Sequence, residues 1–409
     1  LQSTMGQSTA VYLIRADRYF DREYLYGSAD ADYADNAERF VFFSRAALEL
    51  LRREPAEILH CHDWQTALAV VGFKVQPQRY PELAGAKTVF TIHNLGFQGI
   101  FPAEQWPLLD LDRAFFTPEF LEFYGRINLL KGALVWADKI TTVSPSYAEE
   151  ILTPEQGFGL EGVLRQRAGD VVGILNGVDY NRWSPWTDPY IAHHFGPNSL
   201  AVKEECTRDL RRIFGLPDRH ATPLLAMISR LTAQKGFDLI ETVFDRLMER
   251  DLQMVVLGSG EARYEEFLRT GVSLHPDRFA ARIGFDEPLA HQIEAGADIF
   301  LMPSRYEPCG LNQMFSLKYG TIPIVRAVGG LKDTVQPYDG NAGAGTGFVF
   351  QTYEAQALLD AVDHSLKIFQ DKKAWNELRA RAMAMDFSWQ RSAKQYAGLF
   401  RRLVGGVPT

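Results

Sequence analysis

The sequence predicts an α/β protein with parallel sheets and crossover helices. Short β-branched runs alternate with helical stretches almost throughout the 409 residues, and this alternation is typical of βαβ units. Apolar residues make up 46% and charged residues 23% of the chain, which excludes intrinsic disorder and collagen-like repeats. A chain of this length corresponds to two or three domains of roughly 150 residues each.

Charge, hydropathy and cysteine content narrow the class of protein further. With 43 basic and 51 acidic residues the formal net charge is −8, so we expect neither nucleic acid nor an anionic membrane as a partner. No apolar run reaches the roughly 18–20 residues that span a bilayer. Three widely separated cysteines, Cys61, Cys206 and Cys309, argue against a disulfide scaffold. No basic-then-apolar leader precedes Val11, so we expect a soluble cytoplasmic protein, or a plastid stromal one if the source is a plant.

The first half of the chain contains five predicted strands. They lie near Val11–Ile14, Glu57–Cys61, Thr88–His93, Lys139–Val143 and Val172–Leu175. A helix is predicted between the first two strands, with Asp35 or Asn36 as its N-cap. Four residues at helical spacing predict its apolar face, namely Phe40, Phe43, Ala47 and Leu50.

The second half is more regular and predicts an open, doubly wound sheet over about residues 190–385. Its strands lie near Leu224–Ser229, Met254–Leu257, Phe279–Ile283, Asp298–Met302, Pro323–Val325 and Gly347–Phe350. Helices such as Phe237–Glu249 and Glu354–Phe369 separate them. The segment Asn176–Tyr190 is rich in turn formers and aromatic residues, which predicts a hinge or linker. We therefore expect two Rossmann-like domains, residues 1–180 and 190–385, with a cleft between them.

Two cations follow the first strand of the second predicted domain, in the segment Ser229–Gly236. Ligands of open parallel sheets bind beyond the carboxyl ends of the strands, so this loop is predicted to face a ligand. Arg230 offers a rigid fork of donors and Lys235 a compact charge, and together they suit a diphosphate. The alternative is a pair of surface cations beside a turn.

A second candidate segment, Pro303–Gln313, follows an apolar strand and opens a helix. Free backbone amides around Gly310–Asn312, together with the helix dipole, predict an anion site. Glu307, just outside the helix, is predicted to meet sugar hydroxyls. The alternatives are that Glu307 caps the helix and that Cys309 is an inert buried thiol. We expect Met314 and Leu317 of the helix Gly310–Tyr319 to pack in the core.

Two glycine-containing segments also follow predicted strands. Gly329 and Gly330 suit a tight turn with close ligand approach, although plain turn chemistry explains them equally well. The segment Gly258–Arg263 opens like a dinucleotide fingerprint but lacks its third glycine, so NAD binding is not predicted.

Imidazoles are predicted at one rim of the first domain. His60 and His62 point to the same face of their strand, and the next strand ends at His93 and Asn94. A metal site is not predicted, because no further Cys or His lies at useful spacing. Hydrogen bonding to a ligand is the preferred interpretation, with purely structural histidines as the alternative.

Six strings in the sequence are similar to those of a known enzyme family. They are HCHDWQTALA from His60, TIHNLGFQG from Thr91, ILNGVDYNRWSP from Ile174, SRLTAQKGFDL from Ser229, SRYEPCGLNQMFSLKYGTIPIVRAVGGLKDTV from Ser304 and MDFSWQ from Met385. In this order they resemble the bacterial glycogen synthases and plant starch synthases, which form glycosyltransferase family 5. The resemblance runs from about Val11 to about Leu403.

The resemblance implies a GT-B architecture, in which two Rossmann-like domains close on a nucleotide sugar. It implies transfer of glucose from ADP-glucose to the non-reducing end of an α-1,4-glucan, with retention of configuration. ADP-glucose and the glucan are thus the expected partners, and neither a metal nor a cofactor is implied. The resemblance also implies that a helix at about Ser388–Leu403, within residues 386–409, returns to the first domain.

The resemblance assigns catalytic roles to four residues. Arg230 and Lys235 would bind the diphosphate and stabilise the departing ADP, and Glu307 would hold the donor glucose. His62 would form a hydrogen bond to the glucose near its anomeric carbon. Positive charge directed at the leaving diphosphate fits this chemistry, because it stabilises the charge that develops in the transition state.

Further residues are implied to bind substrate. Asn176 would contact the same glucose, Phe285 would stack on the nucleobase, and Tyr26 would lie over the donor. The other implied binding residues are His93, Asn94, Cys309, Gly310, Leu311, Asn312, Gly329, Gly330 and Thr334.

The sequence departs from the family pattern in two respects. The family's amino-terminal strand ends in a K-x-G-G-L loop, which nothing in this chain matches. Either the sequence is part of a longer protein, or the molecule lacks its opening βα units and is inactive. Many related transferases carry a second acid eight residues after the first, and here that position is Phe315. Two alternatives stay open, a catalytically silent glucan-binding or regulatory homologue and a related GT-B synthase with another acceptor.

Overall fold

The computed structural model describes residues 2–5, 9–27, 31–340 and 343–405, and the chain divides into two compact units. Unit 1 comprises residues 1–143, 148–173 and 397–409, and unit 2 comprises residues 144–147 and 174–396. Within the described residues, no helix is both long enough and apolar enough to cross a bilayer.

The centre of unit 1 is a four-stranded parallel sheet. The strands of unit 1 are β1 (Gln2–Met5), β2 (Thr9–Tyr12), β3 (Ile58–His62), β4 (Lys87–Ile92), β5 (Ile100–Pro102), β6 (Glu122–Phe123), β7 (Arg126–Asn128), β8 (Lys139–Thr142) and β9 (Val171–Gly173). The parallel sheet has the order β3-β4-β8-β9, which confirms four of the five predicted strands. The remaining prediction, a strand at Val11–Ile14 in this sheet, is wrong, because β2 ends at Tyr12 and pairs antiparallel with β1. A short β-branched run does not reveal which partner it will pair with.

Helices flank the strands of unit 1. They are α1 (Asp17–Phe20), α2 (Asn36–Arg53), α3 (Trp64–Val75), α4 (Leu129–Trp136), α5 (Pro145–Glu150) and α6 (Glu161–Gln166), with 3-10 turns at Pro77–Arg79, Pro81–Leu83, Ala103–Leu109, Arg113–Phe115 and Ala168–Asp170. The first three residues of α5 belong to unit 2. Asp35 occupies the N-cap position of α2, but its carboxylate pairs with Arg22 at 2.6 Å and does not cap the helix.

The buried face of α2 differs by part of a turn from the predicted one. Its buried apolar residues are Ala37, Phe40, Val41 and Leu48, so only Phe40 of the predicted set is fully buried. The apolar run Val41–Phe43 directly after Phe40 leaves the rotation of α2 undecided by sequence, because its side chains point in different directions around the helix.

Unit 2 contains a six-stranded parallel sheet. Its strands are β10 (Leu224–Ile228), β11 (Gln253–Gly258), β12 (Phe279–Ile283), β13 (Ile299–Met302), β14 (Ile322–Arg326) and β15 (Phe348–Phe350). All six predicted strands are confirmed, and their order is β12-β11-β10-β13-β14-β15. This 3-2-1-4-5-6 order is that of dinucleotide-binding Rossmann folds, which bind ligands where the order reverses. The reversal here lies between β10 and β13.

The sheet of unit 2 is buried beneath helices. They are α7 (Leu200–Phe214), α8 (Phe237–Met248), α9 (Ala262–Leu274), α10 (Glu287–Gly296), α11 (Asn312–Lys318), α12 (Gly329–Thr334), α13 (Ala355–Gln370), α14 (Lys372–Met383) and α15 (Trp389–Leu403), with a 3-10 turn at Ala233–Lys235. As predicted, Met314 and Leu317 of α11 are buried in the core. The last residues of α15, from Ala397 onward, belong to unit 1, and the Phe400 ring meets that of His60 edge to face at 5.6 Å.

The segment Asn176–Tyr190 is packed within unit 2 and is not a free linker. The Trp183 ring lies between the rings of His291 and Phe315, with centroid separations of 3.6 and 4.0 Å. Asp188 is fully buried and accepts hydrogen bonds from Tyr319 and His291. The segment is therefore anchored to unit 2 by Trp183 and Asp188, although Trp186 and Tyr190 are exposed, and composition alone does not predict this anchoring.

Candidate active site

Two loops of unit 2 meet where the strand order reverses. The first, called here the Lys235 loop, is Ser229–Gly236 after β10, and the second, the Glu307 loop, is Pro303–Leu311 after β13. Neighbouring parallel strands end at the same edge of the sheet, so these loops lie side by side. Lys235 Nζ lies 2.6 Å from Glu307 Oε2 across the pair.

The Lys235–Glu307 ion pair is largely shielded from solvent. The lysine side chain is 18% exposed and the glutamate side chain is 7% exposed. Ser304 Oγ donates to the same glutamate oxygen at 3.1 Å. Glu307 therefore does not cap α11, whose N-cap position is Leu311 without a side-chain bond. The Glu307 carboxylate thus accepts hydrogen bonds from one cation and one hydroxyl. A polar ligand with suitable donors can take the place of these two groups.

A cavity of about 240 Å³ within unit 2 is lined by Ser229 and Arg230 of the Lys235 loop and by Asn312, which directly follows the Glu307 loop. Its lining brings together three of the predicted site residues, Arg230, Phe285 and Asn312. The Phe285 ring is 90% exposed, although the exposure of an apolar ring to water is unfavourable. An open aromatic face beside an arginine suits a ligand with a flat ring and negative charge.

Gly258 and Ser259 also line this cavity, a role that their motif did not predict. A Cβ on Gly258 would lie 2.0 Å from the carbonyl oxygen of Ser229, and one on Gly260 would lie 2.4 Å from that of Leu231. The two glycines thus allow the ends of β10 and β11 to approach closely. The incomplete dinucleotide fingerprint was the available sequence signal for this part of the cavity. Its glycines allow the loops at the cavity to pack closely.

The glycines of the other site segments approach the chain itself. A Cβ on Gly329 would lie 2.0 Å from the Glu307 carbonyl oxygen, and one on Gly330 equally close to that of Cys309. Gly310 has a φ of +70°, which a side chain rarely adopts. A side chain at Gly329 or Gly330 would therefore clash with the backbone of the Glu307 loop, and the approach of a ligand to these two glycines stays a prediction.

Other predicted binding residues of unit 2 lie around the Glu307 loop. Cys309 is 5% exposed, and burial raises the pKa of its thiol to about 12. A hydrogen bond with the backbone of Asn176 lowers this pKa but does not offset the effect of burial. It is therefore the inert buried thiol of the alternative interpretation, and only its backbone is available to a ligand. Thr334 is also buried and bonds Gly330 O and the Gln313 amide. Leu311 is 40% exposed.

The strand ends of unit 1 carry a chain of imidazoles. His62 Nδ1 lies 2.9 Å from His93 Nε2, and His60 Nε2 lies 2.6 Å from Thr91 Oγ1. The His60 and His62 rings are 4.2 Å apart, as the alternation of β3 predicts. Burial lowers the pKa of His60 to about 3 and that of His62 to about 4, and the neighbouring imidazoles act in the same direction. These rings are therefore neutral near pH 7 and offer hydrogen bonds without charge.

Asp63 joins the ends of β3 and β4, a role that the sequence motifs did not predict. Its carboxylate accepts the backbone N–H of His93 at 2.8 Å. Burial raises the pKa of Asp63, although the amides of His93 and Asn94 oppose the shift. Asp63 has a φ of +57°, a conformation that is rare outside glycine and concentrated at functional sites. Its place directly after the two histidines was the only available signal.

Tyr26 and Asn94 lie in unit 1 with these imidazoles. The Tyr26 hydroxyl accepts a hydrogen bond from the Gln65 amide at 3.0 Å, and its ring is 41% exposed. Asn94 accepts the backbone N–H of Gly96 at 3.0 Å. In the part of the chain that the structure describes, no group of three His, Cys, Asp or Glu side chains is arranged to hold a metal ion.

Comparison with known proteins defines the class and then the family. Sucrose-phosphate synthase from Thermosynechococcus elongatus matches with a TM-score of 0.59 at 20% identity, over 91% of this chain and 80% of its own, which shows the fold alone. The two parallel α/β units thus have the GT-B fold of a glycosyltransferase, as predicted. The family model for the starch synthase catalytic domain matches residues 2–166, and that for glycosyl transferases group 1 matches residues 211–382.

Curated relatives and a solved structure narrow this class. Glycogen synthase from Koribacter versatilis is 53% identical over 96% of this chain and 81% of its own length. Glycogen synthase from Anaeromyxobacter dehalogenans is 51% identical over 97% and 83%. The catalytic domain of starch synthase IV from Arabidopsis thaliana, bound to ADP and acarbose, has a TM-score of 0.85 at 36% identity and covers 91% of this chain and 78% of its own. The chain belongs to the glycogen and starch synthase family of glucan-elongating glycosyltransferases, as the sequence motifs predicted.

Proposed function

We propose that this protein transfers glucose from ADP-glucose to the non-reducing end of an α-1,4-glucan, with retention of configuration and without a metal. Family membership supports glucan elongation, and the starch synthase IV structure holds ADP and acarbose. Within this chain, the proposal rests on the cavity of unit 2 that brings Arg230, Phe285 and Asn312 together and on the Lys235–Glu307 pair that joins the two loops.

The cavity and its rim supply the donor contacts. Adenine would stack on the exposed ring of Phe285, and the diphosphate would lie against Arg230 and Lys235. Arg230 is also bonded to Gln234 at 3.2 Å, so its guanidinium is held at the cavity rim. Two cations at the diphosphate would stabilise the negative charge that develops as ADP departs, which is the main electrostatic route to faster transfer.

Glu307 would bind the donor glucose. In the absence of donor its carboxylate is paired with Lys235 and Ser304. A diphosphate competes for the lysine, since phosphate oxygens are strong acceptors of charge-assisted hydrogen bonds. Glu307 would then turn from the lysine to the hydroxyls of the glucose. The backbone of Cys309–Asn312 and the side chain of Asn176 would complete the contacts of the same sugar.

Unit 1 would contribute uncharged hydrogen-bonding groups. His62 would contact the glucose near its anomeric carbon, with His93, Asn94 and Tyr26 as further binding residues. The bond between His62 and His93 fixes the orientation of both rings. A neutral His62 imidazole suits this role, because it donates or accepts a hydrogen bond to a sugar hydroxyl without adding positive charge.

The test is the incorporation of labelled glucose into glycogen, with ADP-glucose and UDP-glucose compared. The assay uses the 409-residue chain, a chain extended upstream, and a Glu307→Gln variant of each as the matched control. We expect incorporation from ADP-glucose that the Glu307→Gln variant loses. Binding of glycogen without transfer by either chain would favour the silent homologue, and transfer to a non-glucan acceptor alone would favour a related synthase.

A further inference from the structure

The carboxylate of Asp238 holds two side chains at the back of the candidate site. Asp238 is the second residue of α8 and follows directly on the Lys235 loop. Arg305 donates to its Oδ2 at 2.8 Å, and the Tyr353 hydroxyl donates to its Oδ1. Both oxygens of one partly exposed carboxylate are thus engaged, by groups from two other segments of unit 2.

The partners of Asp238 reach both loops of the site. Arg305 belongs to the Glu307 loop, and its backbone N–H donates to Gln234 O at 2.8 Å. The Tyr353 hydroxyl lies 3.2 Å from Ala233 O. These bonds join the Lys235 loop to the Glu307 loop without using the side chains of Lys235 or Glu307.

Packing reinforces the same arrangement. The Arg305 guanidinium lies 4.6 Å from the centre of the Tyr353 ring, and that of Arg326 lies 5.3 Å from it. Arg326 also donates to Arg305 O at 2.6 Å. Burial and the bond to Asp238 raise the pKa of Tyr353, so its hydroxyl stays protonated and remains a donor. Cations over an aromatic ring add a directional attraction.

A second connection between the loops is needed once a donor binds. The Lys235–Glu307 bond of 2.6 Å ties the loops together. The proposed function removes this tie, because the diphosphate takes the lysine and the glucose takes the glutamate. The loops must still hold their relative position, since a displacement of about 1 Å in a reacting group can cost roughly 100-fold in rate.

We propose that Asp238, through Arg305 and Tyr353, is a positioning residue that keeps the Lys235 and Glu307 loops in register while the donor is bound. The proposal rests on the proposed function for the roles of Lys235 and Glu307. Asp238 itself has no contact with a reacting atom in this assignment; it acts through the two loops.

The first experiment compares Asp238→Asn with Glu241→Gln. Glu241 lies three residues further along α8, pairs with Arg263, and has a side-chain exposure of 32% against 29% for Asp238. Both variants remove one surface ion pair from the same helix. We expect Asp238→Asn to lower kcat about tenfold with an unchanged KM for glycogen, and Glu241→Gln to match the wild type. Equal kinetics of Asp238→Asn and wild type would overturn the proposal.

A double-mutant cycle tests whether Asp238 acts through the loops. If it does, Asp238→Asn in a Lys235→Gln background loses little further activity, because the group being positioned is already absent. Full multiplication of the two losses would contradict the proposal. Tyr353→Phe, which keeps the ring and removes the hydroxyl, is expected to give a smaller fall in kcat than Asp238→Asn and in the same direction.

Hydrogen exchange separates this inference from the proposed function. Amides of residues 229–236 and 303–311 should exchange faster in Asp238→Asn than in Glu241→Gln, whether or not the protein transfers glucose. Faster exchange with no transfer from ADP-glucose by wild type would reject the proposed function and support the connection between the loops. Unchanged exchange in both loops would reject the positioning role of Asp238, whatever the activity.

Discussion

The two units present different chemistry at the carboxyl ends of their parallel strands. In unit 2 a cation and a carboxylate lie 2.6 Å apart, and a cavity lined by the exposed ring of Phe285 includes residues of the Lys235 loop. In unit 1 the strand ends carry His60, His62 and His93, and burial lowers the pKa of the first two to about 3 and 4. Unit 2 thus presents an ammonium–carboxylate pair at these strand ends, whereas His60 and His62 of unit 1 offer neutral hydrogen-bonding groups.

This difference fits a reaction in which one partner carries the charge. A nucleotide diphosphate needs cations, whereas a glucan has only hydroxyls and is bound through uncharged hydrogen bonds. Substitutions that remove charge from unit 2 should therefore change catalysis strongly. Changes to the imidazoles of unit 1 should instead be visible in the pH dependence of stability.

The largest effect is expected for Glu307→Ala. The change removes the acceptor of Lys235 and Ser304, so kcat should fall by roughly 10²–10³-fold, and the free energy of unfolding by about 1–3 kcal/mol. Initial rates of glucose transfer and urea unfolding measure the two quantities. Circular dichroism of the folded variant should match the wild type. A near-normal rate would show that the carboxylate has no part in transfer.

Lys235→Gln is expected to be the next most damaging change. Loss of the ammonium removes a charge-assisted bond to the diphosphate, so kcat/KM for ADP-glucose should fall about 100-fold. Lys367→Gln on α13, which removes the same charge from an exposed site of unit 2, is the matched control. If both variants had the same donor kinetics, the diphosphate assignment would be wrong.

Phe285→Ala should have a smaller and more selective effect. Because the ring is 90% exposed, its removal should leave the melting temperature unchanged. Loss of stacking on the base should raise the donor KM about tenfold, with kcat and the KM for glycogen unaltered. Phe285→Tyr keeps the stacking face and should retain the wild-type donor KM; a tenfold loss in this variant too would argue against stacking.

The smallest effect is expected from the histidines of unit 1, which should change the stability of the fold at acid pH and leave activity near pH 7 unaltered. The folded-state pKa values of His60 and His62 lie below the unfolded value of about 6.5. As the pH falls from about 6.5 to 4, the unfolded state takes up protons that the folded state does not, so stability decreases. Above about pH 7 both states are neutral at these positions, and no change is expected.

Urea unfolding of wild type and His60→Gln across pH 4–8 checks this expectation. The variant should lose less stability on acidification, and the two curves should run parallel above about pH 7. An identical acid slope in both proteins would show that His60 is not held neutral by the fold. The comparison uses slopes, so a uniform change in stability from the substitution itself does not affect the conclusion.

Local patterns predicted the strands well and the packing around them less well, and the roles of the candidate residues stay predictions. All strands of the second sheet and four of the first-half strands were predicted. The rotation of α2 and the packed state of Asn176–Tyr190 were not, since both depend on distant contacts. The position where related transferases carry a second acid holds Phe315, whose ring stacks on Trp183.

Gly329, Gly330 and Asp63 show why the role of a residue can differ from its motif. The glycine pair suited either a tight turn or the approach of a ligand, and the structure adds that a side chain there would meet the backbone of the Glu307 loop. Asp63 directly follows the strand that contains His60 and His62, and its carboxylate connects the ends of β3 and β4. In each case the deciding contact comes from a residue distant in sequence, which periodicity and composition do not report.

The sequence by itself determined the α/β class, the order of the elements, the family, and which residue types follow each strand. These features are local, because they depend on hydrophobic period, turn residues and strings of adjacent side chains. Only the tertiary structure decided that β10 lies next to β13, and so that Lys235 meets Glu307 across 72 residues. Strand order depends on backbone hydrogen bonds and crossover connections between distant segments, and the bond between these two side chains exists only as a consequence of that order.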